Sequence, residues 1–285
     1  MIGKDTGVPF DSKWGSIIPS GAWSDDTSML ISSMDSIVKN NGEIIYDDIM
    51  KRFLDWWEKG EYTSFEIPFG LGATVEASLV RYKKGTPALE AGGQMRTDNG
   101  NGALMRILPF SLYCIFKNLD TDDTVELINK ASGLTHGHNI SKMCCFMYTE
   151  FLREAIKTKD VDRAFSVMTT LPLEKYYSIY TIEALGSLRT SSFYFAEESD
   201  INESGYVVDT LQAAVYSLIQ NTNYEDSIKT AVRLGYDTDT TAGITGAAAG
   251  IIYGRESIPE DWLSKLRKRE MLESLADSYQ ALLEK

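Results

Sequence analysis

Asp237-Thr238-Asp239-Thr240-Thr241 places two carboxylates and three hydroxyls within five residues. Hard oxygen donors in such density suit a divalent cation such as Mg²⁺. Ser24-Asp25-Asp26-Thr27 repeats the chemistry near the other end of the chain. Asp, Ser and Thr are also ordinary helix N-cap residues, and acids favour helix N-termini, so the pattern leaves capping open at both stretches. If the stretches meet, four uncompensated carboxylates would repel one another, and their proximity would imply a metal. One shared metal centre is the expectation.

Two further stretches have chemical potential. Asp98-Asn99-Gly100-Asn101-Gly102 is an amide-rich loop entering a helix, whose N–H groups suit a phosphate or ribose hydroxyls; an ordinary Asn-Gly turn is the alternative. His136 and His138 are the only histidines, and each reads equally well as a ligand-binding or a structural loop residue. The chain has no Walker-type Lys-Ser/Thr after a Gly-rich loop, no strand before one, and no Gly-x-Ser-x-Gly elbow. Thr121-Asp122-Asp123-Thr124 reads as capping, and Trp56-Trp57 and residues 143 to 147 as core.

The elements that must position these groups are helices. Met29, Leu30, Met34, Ile37 and Val38 recur at helical spacing after Ser24 or Asp25. Helices are expected over 46–59, 73–84, 103–116 with a kink or break at Pro109, 121–132, 140–157, 160–170, 176–188, 207–220, 224–234 and from 260 onward. Residues 1–23 and 61–72 read as loop, and 189–206 as a surface excursion. The small-residue run from Ala242 to Gly250 predicts a tightly packed, buried central helix. Strand-like alternation is nearly absent and no linker stands out, so one all-α domain over 1–285 is expected.

A net charge of −13 argues against a nucleic-acid backbone or anionic membrane as partner. Three cysteines without a Cys-x-x-Cys pair indicate neither a zinc site nor a disulfide framework; with no apolar signal core and no spanning run, a cytoplasmic protein is expected. A monomer is expected.

Five ordered motifs resemble one family, the ADP-ribosylglycohydrolases. Gly21-Ala22-Trp23-Ser24-Asp25-Asp26-Thr27-Ser28-Met29 is similar to its G-x-W-T-D-D-T-x-M stretch, and Asn99 to Arg106 with Pro109 to N-G-N-G-x-x-M-R-x-x-P. Thr135-His136-Gly137-His138 resembles T-H-x-H, and Gly205 to Leu211 resembles G-Y-V-x-D-T-L. Gly235 to Ala242 with Tyr253-Gly254 resembles G-G-D-T-D-T-x-A…Y-G.

The resemblance implies an all-helical fold with a dinuclear Mg²⁺ centre, Mn²⁺ being an alternative, at the base of an ADP-ribose cleft. Ser24, Asp25, Asp26 and Asp239 would serve one metal, and Asp237, Asp239 and Thr240 the other. Asp26, Asp239 and Asp11 would be the catalytic carboxylates. Gly70, Gly72, Asn99, Gly100, Asn101, Gly102, His136 and Tyr206 would bind substrate, Tyr206 at the adenosine end. The substrate implied is an ADP-ribosylated protein or a small ADP-ribosyl conjugate.

Three positions depart from the family pattern. Asp11 stands where a metal-site Glu is usual, after an opening helix of which only Gly7 to Asp11 matches. Ser24 replaces Thr and keeps the hydroxyl. Gly70, in Phe69-Gly70-Leu71-Gly72, replaces the Asp of the arginine-directed members and brings the loop closer to members acting on O-linked ADP-ribose. A non-catalytic ADP-ribose-binding relative is the alternative these departures suggest.

Overall fold

The computed structural model describes residues 18–285. Asp11 lies outside the described residues. Thirteen α-helices make up the described fold: α1 Asp25–Lys39, α2 Tyr46–Lys59, α3 Ala73–Lys83, α4 Leu108–Phe116, α5 Thr121–Gly133, α6 Asn139–Thr158, α7 Val161–Thr169, α8 Ile179–Ile182, α9 Val207–Ile219, α10 Tyr224–Leu234, α11 Thr238–Tyr253, α12 Glu260–Lys265 and α13 Arg269–Leu283. No named strand occurs among the described residues; two isolated bridges, Gly93 with His136 and Gly100 with Tyr206, tie loops together.

Two helices are buried on all sides along a central stretch: α6, where every residue from Met143 to Leu152 is buried, and α9, where every residue from Thr210 to Leu218 is. That position was expected of α11, which buries one face only, through Thr241, Ile244, Thr245, Ala248 and Ala249. Its glycines explain the difference. A Cβ on Gly246 would meet the Tyr224 hydroxyl at 3.2 Å and Ile228 Cδ1 at 3.3 Å, whereas one on Gly243 would meet nothing. Close approach is therefore needed along one side, toward α10.

Of the kink or break expected at Pro109, the structure has the break: the run over 103–116 is divided just ahead of the proline. Residues Asn101–Arg106 form a 3-10 segment, and Pro109 sits in the first turn of α4, where its missing N–H has no intrahelical partner to lose. The helix expected over 176–188 is realised only as α8 and a 3-10 stretch, broken at Gly186 (φ 53°, ψ −124°). The charged C-terminal region is the helix pair α12 and α13, and α13 packs on α1.

Candidate active site

The two acidic stretches form the N-termini of α1 and α11, and neither uses its leading side chain as a cap. Ser24 occupies the N-cap of α1, but its hydroxyl donates to Asp26 Oδ2 at 2.8 Å rather than accepting from the helix. Asp237 occupies the N-cap of α11, and its Oδ2 accepts instead from Asn101 Nδ2 at 2.7 Å. By contrast Asp120, Asp160 and Asn223 do cap α5, α7 and α10 with their side chains. Capping thus accounts for acids elsewhere in this fold, but not for these two stretches.

Both helix ends open on one cavity of about 350 Å³. Asp25, Asp26, Asp237, Asp239 and Thr240 line one part of it; Gly70, Gly72, Ala73, Thr74 and Val75 another; and Gly100, Asn101, Gly102, Met105, His136 and Gly205 the remainder. No Lys or Arg is among these lining residues. Burial, then the charges of Asp26 and Asp239, push Asp25 well above the ordinary carboxylate range. Burial and the charge of Asp239 push Asp26 up to about 7, against hydrogen bonds from Thr240 and Ser24. Asp237 is raised too, first by burial, with its bond from Asn101 opposing. Asp26 Oδ1 is buried with no hydrogen-bond partner among the described residues.

A carboxylate oxygen without a partner, among four acids that no Lys or Arg of the described residues compensates and beside a hydroxyl, fits a hard divalent cation. Among the described residues, no group of three or more His, Cys, Asp or Glu side chains is placed so that it could hold a metal ion.

Gly70 explains how Asp25 keeps its place. Its φ is +89°, and a Cβ there would lie 2.2 Å from Asp25 Oδ1. An aspartate at 70 would meet Asp25 both sterically and electrostatically. Gly70→Ala should displace the Asp25 carboxylate and strain the turn, costing on the order of 2 kcal/mol. The expected result is a lower Tm than that of the parent protein, measured by calorimetry.

The substrate-side residues divide into lining and supporting groups. Gly100, Asn101, Gly102 and His136 line the cavity, and Asn101 also donates to Thr210 Oγ1. Asn99 does not line it: its amide donates to the Arg96 carbonyl, bonds His138 Nδ1, and its oxygen accepts from Ser141 N and Oγ. Tyr206 is also absent from the lining; it is half-buried, and Asn101 N to Gly205 O and Val207 N to Asn99 O lock its segment to the Asn99 loop. The histidines separate cleanly. His138 caps α6 through Nδ1, accepting from Ile140 N, while His136 is buried and turned into the cavity. Thr74, Val75 and Met105 line the cavity without any signal in sequence, since such residues are common on any helix face.

The fold and cavity define an all-α protein with a carboxylate-lined pocket at two helix N-termini. The ADP-ribosylglycohydrolase family model matches residues 3–285, and the chain belongs to that family. The chain is 30% identical over 258 residues to an ADP-ribosylarginine hydrolase, Tri1, of Serratia proteamaculans, covering 90% of this chain and 66% of that protein. A second such hydrolase, of Pseudomonas putida, is 25% identical, again with 66% of its length covered. The chain thus spans just under two thirds of these two relatives. An ADP-ribosyl-[dinitrogen reductase] glycohydrolase of Rhodospirillum rubrum is 26% identical over 247 residues, covering 86% of this chain and 74% of that one. A solved structure titled ADP-ribosylglycohydrolase-related protein complex superposes with a TM-score of 0.76 at 28% identity, covering 93% of this chain and 83% of that one. No described helix is long and apolar enough to cross a membrane. All three cysteines are free and buried.

Proposed function

We propose that this protein is a Mg²⁺-dependent hydrolase that cleaves the glycosidic bond joining ADP-ribose to a protein side chain or small conjugate. The observation that carries the reading is the convergence of Asp25, Asp26, Asp237 and Asp239 on one cavity with no cationic side chain among the described residues that line it, in a chain of this family. These carboxylates, with Thr240, would hold the cations. Mg²⁺ would neutralise them, orient ribose hydroxyls and lower the pKa of a bound water. The protein's own contribution is placement. Asn101 fixes Asp237, and Ser24 fixes Asp26. The Gly100–Gly102 turn brings backbone close to the ligand space, since a Cβ at 102 would lie 2.8 Å from His136 Cε1.

Arginine-linked ADP-ribose is the first substrate to test, because two relatives bear that activity in their names. O-linked substrates come next, because an acidic side chain at 70 has no room beside Asp25. The deciding experiment is Mg²⁺-dependent release of ADP-ribose from arginine-, serine- and acetyl-linked substrates. Release from at least one, abolished by chelator, is the expected result. Tight ADP-ribose binding with no release from any would replace this reading with that of a binding relative.

A further inference from the structure

Arg106 is a fully buried guanidinium in no ion pair among the described residues. It lies with Cζ 5.0 Å from the Phe53 ring centroid, and its Nε and Nη1 have no hydrogen-bond partner among the described residues. Its neighbour Cys145 gives no counter-charge, because burial pushes that thiol up to about 12. An unpaired buried charge of this kind is costly and calls for a reason. The one end of Arg106 that is satisfied is Nη2, which donates to the Ala131 carbonyl at 3.1 Å and to Thr135 Oγ1 at 2.7 Å.

Thr135 Oγ1 has one other partner, His136 Nδ1 at 2.9 Å. Arginine can only donate, so the threonine oxygen accepts from Arg106, and its single proton remains to be placed. Thr135 is fully buried, and among the described residues Nδ1 is the only other group bonded to the hydroxyl, so the proton points at Nδ1. Nδ1 must then be the acceptor nitrogen, which puts the ring proton on Nε2. The opposite tautomer would leave the hydroxyl proton buried without a partner.

Nε2 is the nitrogen on the cavity side. A Cβ at Gly100 would stand 3.4 Å from it and one at Gly102 3.5 Å. The backbone around the ring is pinned on both sides: Ser78 Oγ donates to the Thr135 carbonyl, Ser132 Oγ to the His136 carbonyl, and Gly93 pairs with Thr135 and Gly137. Burial and the charge of Arg106 push His136 down to about 3, which agrees with a ring that stays neutral.

We propose that Arg106 is a positioning residue: through Thr135 it fixes His136 as a neutral Nε2–H donor aimed at an anionic oxygen of the substrate, with no role as acid or base. This rests on the hydrolase reading only for the identity of the acceptor, a diphosphate oxygen of ADP-ribose; the relay itself belongs to the free protein. The cavity then has two poles, carboxylates that attract cations and a donor edge that accepts the anionic end of the ligand.

Two histidines make the test direct. Protein labelled with ¹⁵N-histidine gives two imidazole systems in a two-bond ¹H–¹⁵N spectrum, and His138→Gln assigns them. The expected His136 pattern is an unprotonated Nδ1 and a protonated Nε2 that do not titrate between pH 5 and 8. In Thr135→Val the tautomer preference should be lost, while Thr135→Ser restores it. Arg106→Met should likewise mix the tautomers, and Thr135→Val carries the test alone if that variant does not fold. ADP-ribose should shift the Nε2 signal of the parent, and its affinity for Thr135→Val should fall roughly three- to tenfold. A wild-type ring protonated on Nδ1, a ring that titrates near neutrality, or an unchanged spectrum in Thr135→Val overturns the relay. The expected tautomer with no response to ADP-ribose supports the relay and overturns a diphosphate oxygen of ADP-ribose as its acceptor, while the hydrolase reading stands or falls on the release assay.

Discussion

Asp239→Ala should abolish Mg²⁺-dependent release of ADP-ribose and, in chelator, make the protein more stable. The two effects have one cause. Asp239 lines the cavity and its charge raises Asp25, Asp26 and Asp237 alike, so it is the acid most coupled to the other three. Removing it takes one oxygen ligand from the proposed cation site, where metal-ion stabilisation is worth several kcal/mol, or on the order of 10³-fold in kcat. It also removes like-charge repulsion at buried groups, so without metal the variant should melt a few degrees above the parent. Scanning calorimetry in EDTA and a release assay in Mg²⁺ measure the pair. A variant that keeps parental release would remove Asp239 from the mechanism. A variant that is less stable in chelator would show that Asp239 has a structural role instead.

Much of this site was legible because its chemistry is concentrated in short runs. Ser24 to Thr27, Asp237 to Thr241 and Asn99 to Gly102 each stand at or beside a helix start, as the pattern required. Sequence could not decide between capping and ligation, because the decision lies in where a side chain points. Ser24 turns to Asp26 and Asp237 to Asn101, whereas Asp120 turns to its own helix. The histidines posed the same problem: one residue separates them, yet His138 faces Asn99 and His136 faces the cavity. Arg106 escaped notice for a different reason. It sits in a motif whose other members carried the visible chemistry, and an arginine between Met105 and Ile107 gives no hint of complete burial. The helix misplaced at 176–188 reflects a local φ of +53° at Gly186, which periodicity does not register.

Without a divalent cation, the protein should lose stability as the pH rises from about 4 toward 8, and Mg²⁺ should restore most of the loss. An aspartate in an unfolded chain ionises near 4. In the folded protein Asp26 is pushed up to about 7, and Asp25 and Asp237 are raised too. Between those limits the folded state binds protons that the unfolded state has released, so stability is greatest below the unfolded pKa and falls as the pH climbs through the folded one. A three-unit shift on one buried group corresponds to roughly 4 kcal/mol, and coupling between the acids makes a total of about 2–4 kcal/mol the realistic scale. For a chain of this size that is roughly 5–10 °C in Tm. A cation bound only by the folded state competes with those protons, so its stabilisation should be small at pH 5 and large at pH 8. Mn²⁺ should act in the same direction, since it favours the same oxygen donors. Calorimetry across pH 4.5 to 8.5 with EDTA, Mg²⁺ or Mn²⁺ gives the comparison, and Asp26→Asn should flatten the slope in EDTA by removing one of the shifted groups. A metal-free Tm that rises with pH would mean that Asp25, Asp26 and Asp237 are not raised together, and the cation site inferred from the repulsion would go with it.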